Sequence, residues 1–299
     1  MIKIIYAALV TLASAFTATS AQAAANYAQT KYPIVLAHGW MAIQFNGIAE
    51  ALRADGAKVF ITQTSSQNSA EVRGEQLVKQ IRAILAVTGA EKVNIIAHSQ
   101  GTQDSRYAAS VLPNQVASIT AVAGMVKGSL IADGLGQTDG TPLGDVLASV
   151  FEAIGKLSAY GHGDPSLPQS AVGALHSMTT AGANAFNMRH PAGVPTSACG
   201  QGAAVVNGIR YYSWTGSKKV TNVFDPSDYL LGITGSLYGS APNDGLVGAC
   251  SAHLGNVIRD NYPLNHLDQI NQLFGLGNIF INVKSLYRQH ANRLKLSGL

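Results

Sequence analysis

Hydrophobic positions follow two regimes along this chain. In the first half, short unbroken apolar runs alternate with amphipathic stretches. Ile34-Val35-Leu36-Ala37 is too short for a helix and lacks polar alternation, so it predicts a strand buried on both faces; Val59 to Thr64, Val93 to Ala97 and Val116 to Val122 predict three more. Between the second and third runs, Leu77, Val78, Ile81, Ile84 and Leu85 share one face at helical spacing. That helix is expected to start near Asn68, with Glu71 as its capping-box partner. The alternation predicts an α/β fold: a mostly parallel central sheet with helices on both faces.

From about Lys127 to Pro195 the rhythm breaks into Gly- and Ala-rich sequence with helix signals and no clear strands, as expected of an insertion. Within it, Leu143, Val146, Leu147, Val150, Phe151, Ile154 and Leu157 make a wide apolar stripe in which Asp145, Glu152 and Lys156 are the few charges. Gly136, Gly140 and Gly161 flank it as potential hinges. Strand character returns at Ile209 to Trp214. The last third reads as loops and short helices, closing with an amphipathic helix from about Ile279 to Leu296.

Composition narrows the setting. Lys3, the apolar run Ile4 to Phe16 and Ala21-Gln22-Ala23 together predict an export signal over residues 1–24, cleaved within Ala23 to Ala25. Residues 25–299 are then expected to form one domain, and no later stretch is apolar enough to span a bilayer. The formal charge of +4 is mild and no basic run exceeds Lys218-Lys219, which excludes a nucleic-acid surface. Cys199 and Cys250 are the two cysteines, and in an exported chain they predict one disulfide.

The strongest chemical signal is Ala97-His98-Ser99-Gln100-Gly101, directly after the predicted strand from Val93 and ahead of helix-compatible sequence. This is the context of a nucleophile elbow, in which a tight strand-to-helix turn exposes the serine hydroxyl and needs small residues on either side. His38-Gly39-Trp40 follows the first strand. In such a fold the backbone N–H groups of Trp40 and Gln100 would make an oxyanion hole. A Ser-acid-His order leaves Asp225, Asp228 and Asp244 as acids and His253, His266 and His290 as bases. Spacing alone does not choose among them.

From Tyr32 onward the chain resembles the secreted true lipases of Pseudomonas and related proteobacteria, members of the α/β-hydrolase superfamily. The resemblance is carried by Tyr32-Pro33-Ile34-Val35-Leu36-Ala37-His38-Gly39, Val72-Arg73-Gly74-Glu75-Gln76-Leu77 and Val206-Asn207-Gly208-Ile209-Arg210-Tyr211-Tyr212-Ser213-Trp214. Asp225-Pro226-Ser227-Asp228, Asn243-Asp244-Gly245-Leu246-Val247-Gly248 and Gln289-His290-Ala291-Asn292-Arg293-Leu294 add to it. It implies Ser99, Asp244 and His266 as the catalytic triad and Arg73 as a brace for the oxyanion loop. It implies one structural calcium ion held by Asp225, Asp268, Gln272 and Leu276, and it agrees with a Cys199–Cys250 disulfide. Three departures stand out: Ala97 in place of glycine, a shorter loop after Gly39, and an altered pattern around Gly124-Met125-Val126-Lys127.

The function so implied is a secreted triacylglycerol lipase working at an oil-water interface. The stripe from Leu143 to Leu157 would be its lid, and a periplasmic lipase-specific foldase would be a partner. A carboxylesterase or polyester hydrolase using the same triad is the alternative. A lipid-binding protein without turnover is the non-enzyme alternative, disfavoured by the intact Ser, Asp and His set.

Overall fold

The computed structural model describes residues 26–137, 141–142, 164, 166–272 and 275–299. The expected signal at 1–24 and the stripe from Leu143 to Leu157 lie outside the described residues. The strands are β1 (Ile34–Ala37), β2 (Val59–Ile61), β3 (Val93–His98), β4 (Val116–Val122), β5 (Val205–Val206), β6 (Ile209–Gly216) and β7 (Asn256–Tyr262). The α-helices are α1 (Ile48–Ala54), α2 (Ala70–Thr88), α3 (Gly101–Val111), α4 (Leu130–Gln137), α5 (Ala171–Met178), α6 (Thr180–Arg189), α7 (Pro226–Ser236) and α8 (Val283–Leu296).

The seven described strands form one sheet in the order β2-β1-β3-β4-β6, with β5 and β7 both on the outer edge of β6. Every pairing is parallel except the β5–β6 hairpin. That hairpin turns through Asn207 and Gly208, both at positive φ, the backbone that an Asn-Gly pair accepts most readily.

Alternation along β1 shows why both faces are covered. Ile34 and Leu36 face one core with Ile48, Leu52, Trp214, Val283 and Tyr287, which brings α1 and α8 onto that side. Val35 and Ala37 face the other core with Leu77, Val78, Ile81, Ala108 and Ala109, contributed by α2 and α3. Residues such as Ile34, Leu36, Ile95 and Ile96 are fully buried. Each such side chain is worth roughly 1.5–3 kcal/mol relative to exposure. The α/β fold expected from the sequence is the one observed.

Several boundaries differ from expectation. Helix α2 is capped by Ser69 rather than Asn68: the Ser69 side chain accepts from Val72 N–H, while Glu71 turns outward to pair with Arg189. Strand β2 stops at Ile61: Thr62 still bonds to the Leu36 carbonyl of β1, and then Thr64 and Ser65 turn away to His38 and to Gln76 of α2. Helix α8 starts at Val283 under an Asn282 cap, four residues later than its apolar pattern suggests. Strand β7 falls where only loops and short helices are expected. No helix among the described residues is long and apolar enough to cross a membrane.

Candidate active site

The site grows from the carboxyl ends of the parallel strands, where an open α/β sheet gathers its loops. Ser99 follows β3 directly and sits at φ +55°, a strained conformation for a residue with a side chain. The turn is tight because β1 passes beneath it. A Cβ on Gly101 would stand 2.5 Å from the His38 carbonyl oxygen and 2.7 Å from that of Ala37. A Cβ on Gly39 would stand 2.7 Å from the Ser99 Cβ. Two glycines therefore let the loop after β1 run against the serine.

That loop is clamped from behind. Arg73, fully buried on α2, donates from Nη2 to the carbonyls of His38 at 2.9 Å and Gly39 at 3.1 Å, and from Nη1 to the Ser65 carbonyl. Its charge is met by Asp104 of α3 at 2.8 Å. The His38 ring accepts from Thr64 N–H on Nε2 at 3.0 Å, which leaves Nδ1–H to donate to Gly39 O at 2.8 Å. Burial first, then the nearby Arg73 charge, pulls the His38 pKa down to about 3, so the ring stays neutral. Gly39 C=O and Trp40 N–H belong to one trans peptide unit and point in opposite directions. Holding the Gly39 oxygen from behind thus turns the Trp40 N–H the other way.

Asp244 lies in a turn after α7, and its Oδ1 accepts from the backbone N–H of Leu246 and Val247 at 3.1 and 2.8 Å. Its Oδ2 faces His266 Nδ1 at 2.9 Å and also accepts from Gln269 Nε2 at 3.1 Å. A carboxylate at that distance holds the imidazole proton on Nδ1 and leaves Nε2 as the basic nitrogen. His266 and Ser99 line one cavity of about 570 Å³. Its walls are largely apolar, with Trp40, Ile43, Met125, Leu175, Met178 and Leu246 among them. His98 is a participant that the sequence analysis did not single out. It is buried, its ring lies 4.6 Å from that of His266, and its Nε2 bonds to the His266 carbonyl at 3.1 Å. Burial and the neighbouring His266 lower its pKa well below the usual value, so it acts as a neutral spacer.

The other candidate acids and bases are elsewhere. His253 pairs with Asp260 beside the Cys199–Cys250 disulfide, and His290, on the buried face of α8, bonds to Thr120 and Arg293. Asp228 joins Asp225 and Asp268 in a buried cluster whose carboxylate oxygens lie within 4.8 Å of one another. Its oxygens are already taken, Oδ2 by the backbone N–H groups of Thr221 and Asn222 and Oδ1 by Asn265. Asp268 is different. Oδ2 accepts from Thr221 Oγ1 and Asn265 N–H, but Oδ1 is buried with no partner among the described residues. Gly277 packs so closely on that oxygen that a side chain there would collide with it. Burial, with Asp228 and Asp225 adding repulsion, raises the Asp268 pKa to about 7. Such an arrangement of acidic oxygens fits a hard cation. Gln272 and Leu276 are engaged otherwise: Gln272 donates to Gln44 O, and the Leu276 carbonyl accepts from Asn222 Nδ2.

A serine elbow backed by a paired Asp and His at the ends of a parallel sheet defines the class, and the comparisons agree. Residues 32–268 match the alpha/beta hydrolase fold family. The triacylglycerol lipase of Vibrio cholerae is 47% identical, covering 96% of this chain and 95% of its own. That of Pseudomonas fragi is 42% identical, covering 90% and 98%. That of Burkholderia plantarii is 37% identical, covering 94% and 90%. The solved structure of a mature Bacillus licheniformis lipase shares the fold at a TM-score of 0.59 and 21% identity, covering 82% of this chain and 89% of that one. The chain belongs to the bacterial triacylglycerol lipase family of the alpha/beta hydrolase superfamily, and is an ester hydrolase.

Proposed function

We propose that the chain hydrolyses acylglycerol esters through an acyl-enzyme on Ser99. The observation that carries this reading is the Asp244–His266 pair opening, together with Ser99, onto one apolar cavity. Ser99 Oγ attacks the ester carbonyl carbon as His266 Nε2 takes its proton, and the carbonyl oxygen becomes an oxyanion held by the N–H groups of Trp40 and Gln100. The C–O bond to the alcohol then breaks, and His266 returns the proton to the departing oxygen. Water repeats the cycle: His266 deprotonates it, it attacks the acyl carbon, and Ser99 leaves with the proton. Asp244 orients His266 throughout and stabilises the imidazolium.

The test compares emulsified long-chain triacylglycerol with a soluble short-chain p-nitrophenyl ester. Hydrolysis of both is expected, and Ser99→Ala should lose both by roughly 10⁴-fold or more. Hydrolysis of the soluble ester alone would leave a carboxylesterase. The same pair of substrates reports on the stripe from Leu143 to Leu157 as a lid. Opening such a lid would expose apolar surface, at roughly 25 cal/mol per Å², a penalty that a lipid interface would remove. Replacing Val150 and Phe151 with Ser should therefore depress the emulsion rate much more than the soluble rate; parallel losses that track melting temperature would mean a core helix instead.

One calcium ion held by Asp225 and Asp268 is part of this reading, with the carbonyl or side-chain oxygens of Gln272 and Leu276 as expected further donors. It would neutralise buried carboxylates and fix the turn from Asn265 to Asp268 that carries His266. No bond-breaking step runs through it. Chelation should lower melting temperature and activity together, because an ion that binds only the native state stabilises it by mass action. Unchanged melting after exhaustive chelation would remove the ion from the account. Export through residues 1–24 is supported by the disulfide, and an exported protein beginning within Ala23 to Ala25 on N-terminal sequencing would confirm it.

A further inference from the structure

A second cavity of about 490 Å³ lies beside α3, away from the serine. The two cavities share no lining residue among those described. Arg106 lies about 7.5 Å along α3 from its first residue, Gly101, at 1.5 Å rise per residue.

Arg106 is the unusual feature of this cavity. Its side chain is buried on α3 and lines the space. Nη2 donates to the His190 carbonyl, and the guanidinium lies 5.1 Å from the Phe186 ring centroid. Nε and Nη1, however, are buried with no hydrogen-bond partner among the described residues. No Asp or Glu lines the cavity among the described residues. Arg73, on the neighbouring helix, shows the contrast: it is equally buried, yet it has a carboxylate and three carbonyls.

An arginine cannot escape burial by losing its proton. Burial pulls Arg106 down to about 10, still charged near neutrality. Buried charges in folded proteins are normally paired. The missing partner is an anion, and the guanidinium shape favours a planar carboxylate. His190 adds a second polar atom: its Nδ1 is buried with no partner among the described residues, and burial followed by repulsion from Arg106 and Arg189 keeps the ring neutral. In the Nδ1–H tautomer it is another donor. The rest of the wall is chiefly apolar, from Ala109, Pro191, Val194, Val206, Ile209 and the ring of Tyr211. Arg189 at the rim is already paired with Glu71.

We infer that this cavity binds a carboxylate carrying a short apolar chain, its head group on Arg106 and its chain against the wall formed by β6 and the residues after α6. Under the proposed function this is the chemical class of the acid product, so the site would sense or retain product outside the acyl pocket. The binding itself does not depend on that reading.

The probe is octanoate. Enzyme whose serine has first been blocked with an alkylphosphonate, with the adduct position mapped, is titrated by calorimetry and thermal melting. One equivalent should bind and raise the melting temperature. Octan-1-ol and inorganic phosphate, each lacking half of the chemistry, should bind at least tenfold more weakly. Arg106→Met should weaken octanoate by tenfold or more. Ser110→Trp, an exposed lining position, should close the mouth with the same loss while the unblocked enzyme keeps its esterase activity. No octanoate binding to blocked wild-type protein, or binding unchanged in both variants, would overturn the site. Esterase activity of the unblocked enzyme and the mapped adduct position judge the active-site reading separately.

Discussion

Arg73 shows how much of the site rests on a residue that never meets substrate. The bare sequence presents it as one charge on an amphipathic helix, and such charges are usually solvated. The folded chain buries it completely, against Asp104 and the carbonyls of residues 38, 39 and 65. A lysine would keep the charge but not the planar fork that meets these acceptors at once. Arg73→Lys is therefore expected to lower kcat by about 10²-fold, near the effect of losing one oxyanion donor, with a smaller change in KM. An unchanged kcat would show that the loop holds itself. Ser99 was legible because its elbow is local: strand, serine and small flanking residues follow in order. Choosing Asp244 over Asp228 was not, because the difference lies in partners distant in sequence. Asp228 spends its oxygens on Thr221, Asn222 and Asn265, whereas Asp244 keeps one for His266. His98 carried no signal of its own inside the elbow; its contact with His266 is made only by the tertiary fold.

Elements with strong periodicity were readable, and their ends less so. Helix α2 declared itself through five apolar residues on one face, but Asn68 and Ser69 are both good caps and only one takes the role. Ser69 accepts from Val72 N–H, while Asn68 accepts from Ser69 N–H and donates to Pro168 O. Glu71, free of the capping box, pairs with Arg189 at the surface. Ser69→Ala should thus cost about 1 kcal/mol in denaturant unfolding, the usual worth of a helix cap. Glu71→Ala should cost well under that, as exposed ion pairs do. A reversed order would restore the capping box. Strand β7 escaped notice for a different reason. Asn256–Tyr262 is an edge strand, half-buried to exposed throughout, and Asn256, Arg259, Asp260 and Asn261 leave little hydrophobic signal. Backbone pairing with β6 decides it, and a single sequence does not display pairing.

At the scale of the whole molecule, buried neutral histidines set an acid limit. His38 and His290 both have folded pKa values near 3, in each case chiefly from burial and then from an adjacent arginine. In the unfolded chain they titrate near 6.5. Between those values the unfolded state binds more protons, so stability rises with pH there. Their contribution is fully present above about 6.5 and is lost as pH falls toward 3, by up to about 1.4 kcal/mol per pH unit for each histidine. Melting temperature should fall as pH drops from 7 to 4, and His290→Gln should make that fall shallower. An unaltered slope would place the acid sensitivity in other groups.

Strands β4 and β6 are hydrogen-bonded neighbours, yet one ends at Val122 and the other begins at Ile209. Between them the described residues leave the sheet, apart from the short strand β5 that turns directly into β6, and the chain returns beside β4. The entropic cost of such an excursion grows slowly, by about 0.6 kcal/mol for each doubling of a flexible loop. Insertions and deletions there need not disturb the register that aligns Ser99 with the turns carrying Asp244 and His266. The part of the gene encoding this excursion, whose Leu175 and Met178 line the acyl cavity, is thus free to be traded or lengthened between relatives. Part of the pocket that grips the ester can thus be rewritten in a single cassette, while Ser99, Asp244 and His266 are encoded outside it.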